Sequence, residues 1–224
     1  MDKKAIPFIE RFPILFGISL LGGFLDAYTY VTRDGILCTM HTGNMAKLGF
    51  SLAEGNWSKA LGYLIPILAC VLGSTTIEAI KDHTPNGRDW RKISLIIEII
   101  ALILVGFVPV GVASVWITTA IAYISGLQMC IFRTSPWGDI NSTFSTGNLR
   151  AVGQFLYAAF RDRTGDSWNR FVFFTCIVFA FTVGAAVGVP VSRLFGSFSS
   201  VVGALIAAVL LISMIIHDKK ACVL

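Results

Sequence analysis

The sequence predicts an all-α polytopic membrane protein of about six transmembrane helices, arranged as two inverted three-helix repeats. Three observations predict it. Charged residues make up 14% of the 224-residue chain and hydrophobic residues 55%, with a mean hydropathy of +0.74; a soluble domain carries roughly 25% charged residues. Six stretches are apolar over close to the ~20 residues that a ~30 Å hydrocarbon core requires. The third observation is a degenerate internal repeat. Leu20–Gly49 reads LLGGFLDAYTYVTRDGILCTMHTGNMAKLG and Tyr123–Gly153 reads YISGLQMCIFRTSPWGDINSTFSTGNLRAVG. Each copy has a glycine near the end of an apolar run (Gly23, Gly126), then a Thr-Gly-Asn triplet (42–44, 146–148), then a closing glycine (Gly49, Gly153). Self-similarity of this kind in an apolar chain points to a membrane protein of two similar halves.

The six segments lie near Pro13–Thr32, Ala60–Ile80, Ile93–Val112, Ser114–Phe132, Phe171–Pro190 and Ser199–Ile216. Backbone polar groups in lipid must be paired within the segment, so each is read as a helix. Residues 1–112 and 113–224 are then the two repeats of one membrane domain. With six crossings and the N-terminus inside, Arg33, Lys47, Lys59 and Arg193 are the only basic residues outside, against fourteen inside, Lys81, Lys92, Arg133, Arg150 and Arg170 among them. That positive-inside bias places both termini in the cytoplasm. Three spans per half is an odd number, so the halves cross in opposite senses.

Two further segments, Asn44–Ala53 and Asn148–Phe160, read as short helices directly after their triplets. They are amphipathic helices on the membrane surface, re-entrant half-helices aimed at the midplane, or full extra spans, which would give eight crossings, put the Lys81–Lys92 loop outside and weaken the charge bias; a small polar residue ahead of them would cap the free N–H groups of the first turn. The basic, apolar N-terminus is read as an uncleaved first span. The formal charge of +5 is spread between apolar segments, which suits loops facing anionic lipid and not nucleic acid. Five scattered cysteines without a C-x-x-C pair indicate no disulfide framework and no metal site, and no cofactor is implied. Gly184-Ala-Ala-Val-Gly188 is a small-residue face that a homodimer could use.

Asp26 is the most informative polar residue. A carboxylate inside a span costs roughly 2.5–3.5 kcal/mol on insertion scales, so it should face a cavity or a partner. Gln128 occupies nearly the matching position in the second half, an acid and an amide set across the repeat axis. Thr42, Gly43 and Asn44, with Thr146, Gly147 and Asn148, offer hydroxyls, amides and close backbone approach for a solute at helix starts; on a surface helix they are turn-and-cap chemistry. His41 and Glu98 are candidates for coupling or gating, Glu98 by pairing with a Lys or Arg at the cytoplasmic edge.

At GGFLDAYTYV followed by HTGN, and again at SGLQ followed by STGN, the sequence resembles the YoaK-like family of small bacterial inner-membrane proteins. The resemblance covers almost the whole chain and implies a polytopic protein of a family without an assigned biochemical role. The polar run RDRTGDSWNR departs from the family's pattern.

The pattern predicts a secondary transporter or channel for a small polar or anionic solute through a path at the repeat interface. The solute is unidentified, the bilayer is the other partner, and Asp26, Gln128 and the triplets line the path. No G-x-S-x-G, H-E-x-x-H or Walker loop is present, so an enzyme is not expected. The alternative is a non-transporting scaffold or sensor that binds a lipid or partner protein. An intramembrane enzyme acting on lipid would have only His41 and Asp26 to work with.

Overall fold

The computed structural model describes residues 12–83, 89–141 and 145–223. In chain order the elements are α1 (Phe12–Thr32), α2 (His41–Ala53), α3 (Trp57–His83), α4 (Asp89–Gly106), α5 (Ser114–Ile131), a hairpin of β1 (Thr134–Ser135) and β2 (Gly138–Asp139), α6 (Thr146–Asp162), α7 (Gly165–Phe195) and α8 (Ser199–Val223). The helices stop where the chain turns left-handed: Asp34 and Gly35 after α1, Gly111 and Ala113 before α5, Arg163 after α6 and Gly196 after α7 all have positive φ. The RDRTGDSWNR run is therefore the tight junction of two helices, with the Thr164 hydroxyl capping α7 by accepting from Ser167 N–H.

Among the described residues four stretches are long and apolar enough to cross a membrane: Phe12–Thr32, Trp57–His83, Ser114–Ile131 and Gly165–His217. The last is 53 residues long and holds α7 and α8, separated by one 3-10 turn at Gly196–Phe198. The expected third span, Ile93–Val112, is not among them. Its helix stops at Gly106 and carries Asp89, Arg91, Lys92 and Glu98. Even so, α4 exposes Ile93, Ile96, Ile97, Ile100 and Ile103 while burying Ser94 and Glu98. Leu95, Leu102 and Val105 are buried with them, so the inner face is mixed, but an outer face of isoleucines is not that of a water-facing helix. Lys3, Lys4, Arg11 and Arg88, part of the charge argument, lie outside the described residues.

Packing repeats with the sequence. The first helix of each half lies against the third helix of the other, α1 on α7 and α5 on α3; α2 packs on α3 as α6 packs on α7, and α4 meets α8. Glycine sets both crossings. A Cβ on Gly23 would run into the Phe181 carbonyl and one on Gly184 into the Leu20 carbonyl; a Cβ on Gly126 would meet the Cys70 carbonyl and one on Gly73 the Tyr123 carbonyl. Gly23 and Gly126 stand 103 positions apart, as do Leu20 and Tyr123, while Cys70 and Phe181 stand 111 apart, as do Gly73 and Gly184. The two crossings are copies of one backbone contact, the close approach that small residues permit between helices in lipid. Gly184 and Gly188 of the small-residue face are thus spent inside the chain, Gly188 lying over Ala27 and Phe24 of α1.

Candidate functional site

The triplets explain why α2 and α6 begin where they do. Both fall inside the first helical turn and not ahead of it, α2 starting at His41 and α6 at Thr146. The residues that flank the starts, Met40 and Ser145, make no side-chain cap bond, so the expected capping role is corrected. Each asparagine reaches back seven residues instead. Leu37 N–H donates to Asn44 Oδ1 (3.1 Å) and Asn44 Nδ2 donates to the Leu37 carbonyl (2.5 Å). Asn141 N–H donates to Asn148 Oδ1 (3.0 Å) and Asn148 Nδ2 to the Asn141 carbonyl (2.8 Å). Asparagine suits this because its amide presents one acceptor and donors on the same plane, matching one residue's N–H and C=O. The glycine before it leaves room for that residue's side chain: a Cβ on Gly43 would press on Leu37, and one on Gly147 would collide with the Asn141 amide. Thr-Gly-Asn is a clamp on the incoming loop, with both asparagines buried.

Asp26 holds the same loop in the first half. It is 4% exposed, and its carboxylate accepts from Thr39 N–H (2.7 Å) and from Thr39 Oγ1 (2.7 Å), with the Cys38 thiol at 3.6 Å. The charge thus sits against the start of α2, where free N–H groups favour an anion. Gln128 does not bond Asp26. It donates to the Glu98 carboxylate on α4, and both residues are buried. Glu98 therefore pairs with an amide and not with the Lys or Arg expected of it.

The helix starts meet at one cavity of about 120 Å³. Met40, His41, Thr42 and Met45 line it from the first half, Met129 and Thr146 from the second, and Thr39, fixed by Asp26, forms its floor. The burial pattern over residues 41–46 repeats over 145–150, which sets His41 in the place of Ser145 and Thr42 in that of Thr146. The ring nitrogens of His41 and the Ser145 hydroxyl are buried without a partner among the described residues. The structure thus brings Thr42, Thr146 and His41 to one cavity, engages Asp26, Asn44 and Asn148 within the chain, and sets Gln128 with Glu98 to one side.

Sequence reasoning missed Arg33, counted as an exterior charge. It is fully buried at the end of α1. Its guanidinium donates to the carbonyls of Pro109 (2.7 Å), Val108 (2.8 Å) and Val112 (3.2 Å), to the Tyr28 hydroxyl (3.0 Å) and to Ser197 Oγ (3.5 Å). It ties α1 to the α4–α5 connection and to the break between α7 and α8. Its two terminal nitrogens make all of these contacts, while Nε is buried without a partner among the described residues. The signal was Tyr28 five residues before it at a helix end.

Residues 14–215 match the family described as "Protein of unknown function (DUF1275)". No curated protein matches the chain, and no solved structure does.

Proposed function

We propose that this chain, which belongs to the DUF1275 family, is a secondary transporter or channel that moves a small polar or anionic solute along the interface of two inverted repeats. The family is one of unknown function, so the reading stands on geometry. A single observation carries it: Thr42 and Thr146, equivalent residues of the two halves, line one cavity at the starts of α2 and α6. Two helices that begin at a shared cavity behave as half-helices, and their positive ends favour a polar or anionic solute. The cavity volume of about 120 Å³ is well under the ~300 Å³ of ordinary ligand pockets, which limits the solute to a few heavy atoms. Solute contact falls to Thr42, Thr146 and His41. Asp26, Asn44, Asn148, Gln128 and Glu98 then act by holding the loops and helices around the path, with His41 and Glu98 as the coupling or gating candidates. Positive charge between the apolar segments supports a plasma-membrane protein with cytoplasmic termini, and the YoaK-like resemblance agrees with that location.

The alternative, a scaffold or sensor binding a lipid or partner protein, is favoured by one specific fact: the most polar residues of the site already have their hydrogen bonds inside the chain. A thermal-shift screen of the purified protein against small solutes and ions separates the two. Thr42→Val with Thr146→Val removes two cavity hydroxyls at constant volume, and both positions are exposed enough to spare the fold. A ligand at a hundredfold excess over its Kd stabilises the native state by about 2.7 kcal/mol. A hit lost in the double variant supports the path, to be followed by liposome uptake. No hit from a folded protein supports the scaffold.

A further inference from the structure

Three of the five methionines in the chain, Met40, Met45 and Met129, line the cavity at the helix starts. Helix-start chemistry and polar solutes do not call for that concentration of thioethers. The same cavity is lined by His41, both of whose ring nitrogens are buried without a partner among the described residues. A buried imidazole normally donates or accepts at one nitrogen at least; one left with two idle nitrogens is available as a ligand. Behind Met129, outside the cavity lining, the Cys70 thiol lies 3.7 Å from its sulfur.

We propose that this cavity binds a soft monovalent metal ion, Cu(I) or its stable analogue Ag(I), through the thioethers of Met40, Met45 and Met129 and the imidazole of His41. Ligand type decides the metal. Thioether and imidazole select soft ions, whereas carboxylates and carbonyls select Mg, Ca and Mn. No group of three or more His, Cys, Asp or Glu stands together among the described residues, which leaves zinc and the hard cations without a ligand set there. Net charge decides the valence. The Asp26 carboxylate stands directly behind cavity-lining Thr39 and offsets the positive start of α2, and that single acidic group suits a singly charged cation better than a divalent one. Met45 is 59% exposed and forms the rim by which an ion enters. The site uses the cavity of the transport reading but needs only binding, not passage.

The test is a titration of the detergent-purified full chain, labelled with carbon-13 at the methionine methyls, with silver nitrate to about six equivalents, one beyond the number of cysteines. Silver on the Cys70 thiol would itself move the Met129 methyl 3.7 Å away, so the Met40 and Met45 methyls are the readout specific to the site. The expected result is a shift of the Met40, Met45 and Met129 resonances while Met214, buried in α8, stays put. Met45→Leu, a rim change that spares the fold, weakens silver binding at least tenfold, and so does Met129→Leu. Potassium nitrate at the same concentration moves none of them. If silver leaves all three methyls in place, or if Met45→Leu binds silver as the parent does, the metal site is wrong. Nitrate alone moving the same methyls, with no further effect of silver, also overturns it and leaves the anionic-solute reading standing. Shifts with silver, beside a solute screen indifferent to Thr42→Val and Thr146→Val, uphold the metal site and remove the solute path.

Discussion

Replacing Asn44 by alanine deletes both hydrogen bonds that hold Leu37 ahead of α2, at 3.1 and 2.5 Å. A buried hydrogen bond is worth about 1 kcal/mol net, and a buried group left without its partner costs about 1–3 kcal/mol. Leu37 is half-buried, so water reaches part of its backbone and the lower part of that range applies. Alanine returns a few tenths of a kcal/mol as a better helix former. The net loss is about 2–4 kcal/mol. At roughly 2–4 °C per kcal/mol for a chain of this size, Tm falls by about 5–15 °C. Asn44→Asp does not rescue it: the acid keeps an acceptor for Leu37 N–H but turns a second oxygen toward the Leu37 carbonyl. Asn148→Ala, facing Asn141 at 3.0 and 2.8 Å, loses a similar amount, and the two losses add because the clamps share no partner. The assay is thermal unfolding in one detergent followed by tryptophan fluorescence and circular dichroism. If both alanine variants melt with the parent while solute binding is lost, the asparagines are ligands and the clamp reading is refuted.

Other outcomes follow from the same geometry. Gly126→Ala and Gly23→Ala each drive a methyl into a neighbouring carbonyl and lower Tm, whereas Gly49→Ala, with nothing within 4 Å, raises stability by up to about 1 kcal/mol through helix propensity; equal effects at the three sites would remove the close-crossing argument. Arg33→Lys fails to restore the stability lost in Arg33→Met, since an ammonium cannot span five acceptors, and parity of the lysine variant with the parent in the same melt would contradict it. A double-mutant cycle of Glu98→Leu and Gln128→Leu returns a coupling of about 1–3 kcal/mol, and independence of the two changes would mean that they do not pair. Asp26→Asn keeps one acceptor for Thr39 and costs less stability than Asp26→Ala, measured by the same unfolding.

Much of the helical order was legible because apolar length and glycine spacing are local signals. Gly23 and Gly126 were legible as markers of the repeat, while their use as the points of helix crossing shows only where the Phe181 and Cys70 carbonyls come against them. The triplets were legible as important but not as clamps. Their bonds run to Leu37 and Asn141, and a partner seven residues away in a loop has no periodicity to betray it. Arg33 was misplaced because a charge at the end of a span looks solvated until three carbonyls from a connection 75 and more residues later fold over it. Gln128 was set against Asp26 because repeat logic pairs equivalent positions, whereas the structure satisfies each within its own surroundings: Asp26 by Thr39, Gln128 by Glu98. The shared cavity was out of reach for the same reason, being made by ends of elements from both halves.

The exchange of first helices between halves has a consequence for how the protein is made. Gly23 leaves the ribosome some 160 residues before Gly184, its crossing partner, an interval of about 8–30 s at ordinary rates of synthesis. Through that interval α1 has its glycine face and Asp26 in place but no α7 to receive them, and the early membrane intermediate must shelter them by other means. Neither half is complete alone. Cut between Gly106 and Ser114, the chain becomes two fragments that each lack the cradle for their own first helix and hold the cradle for the other's, so they are made to find one another.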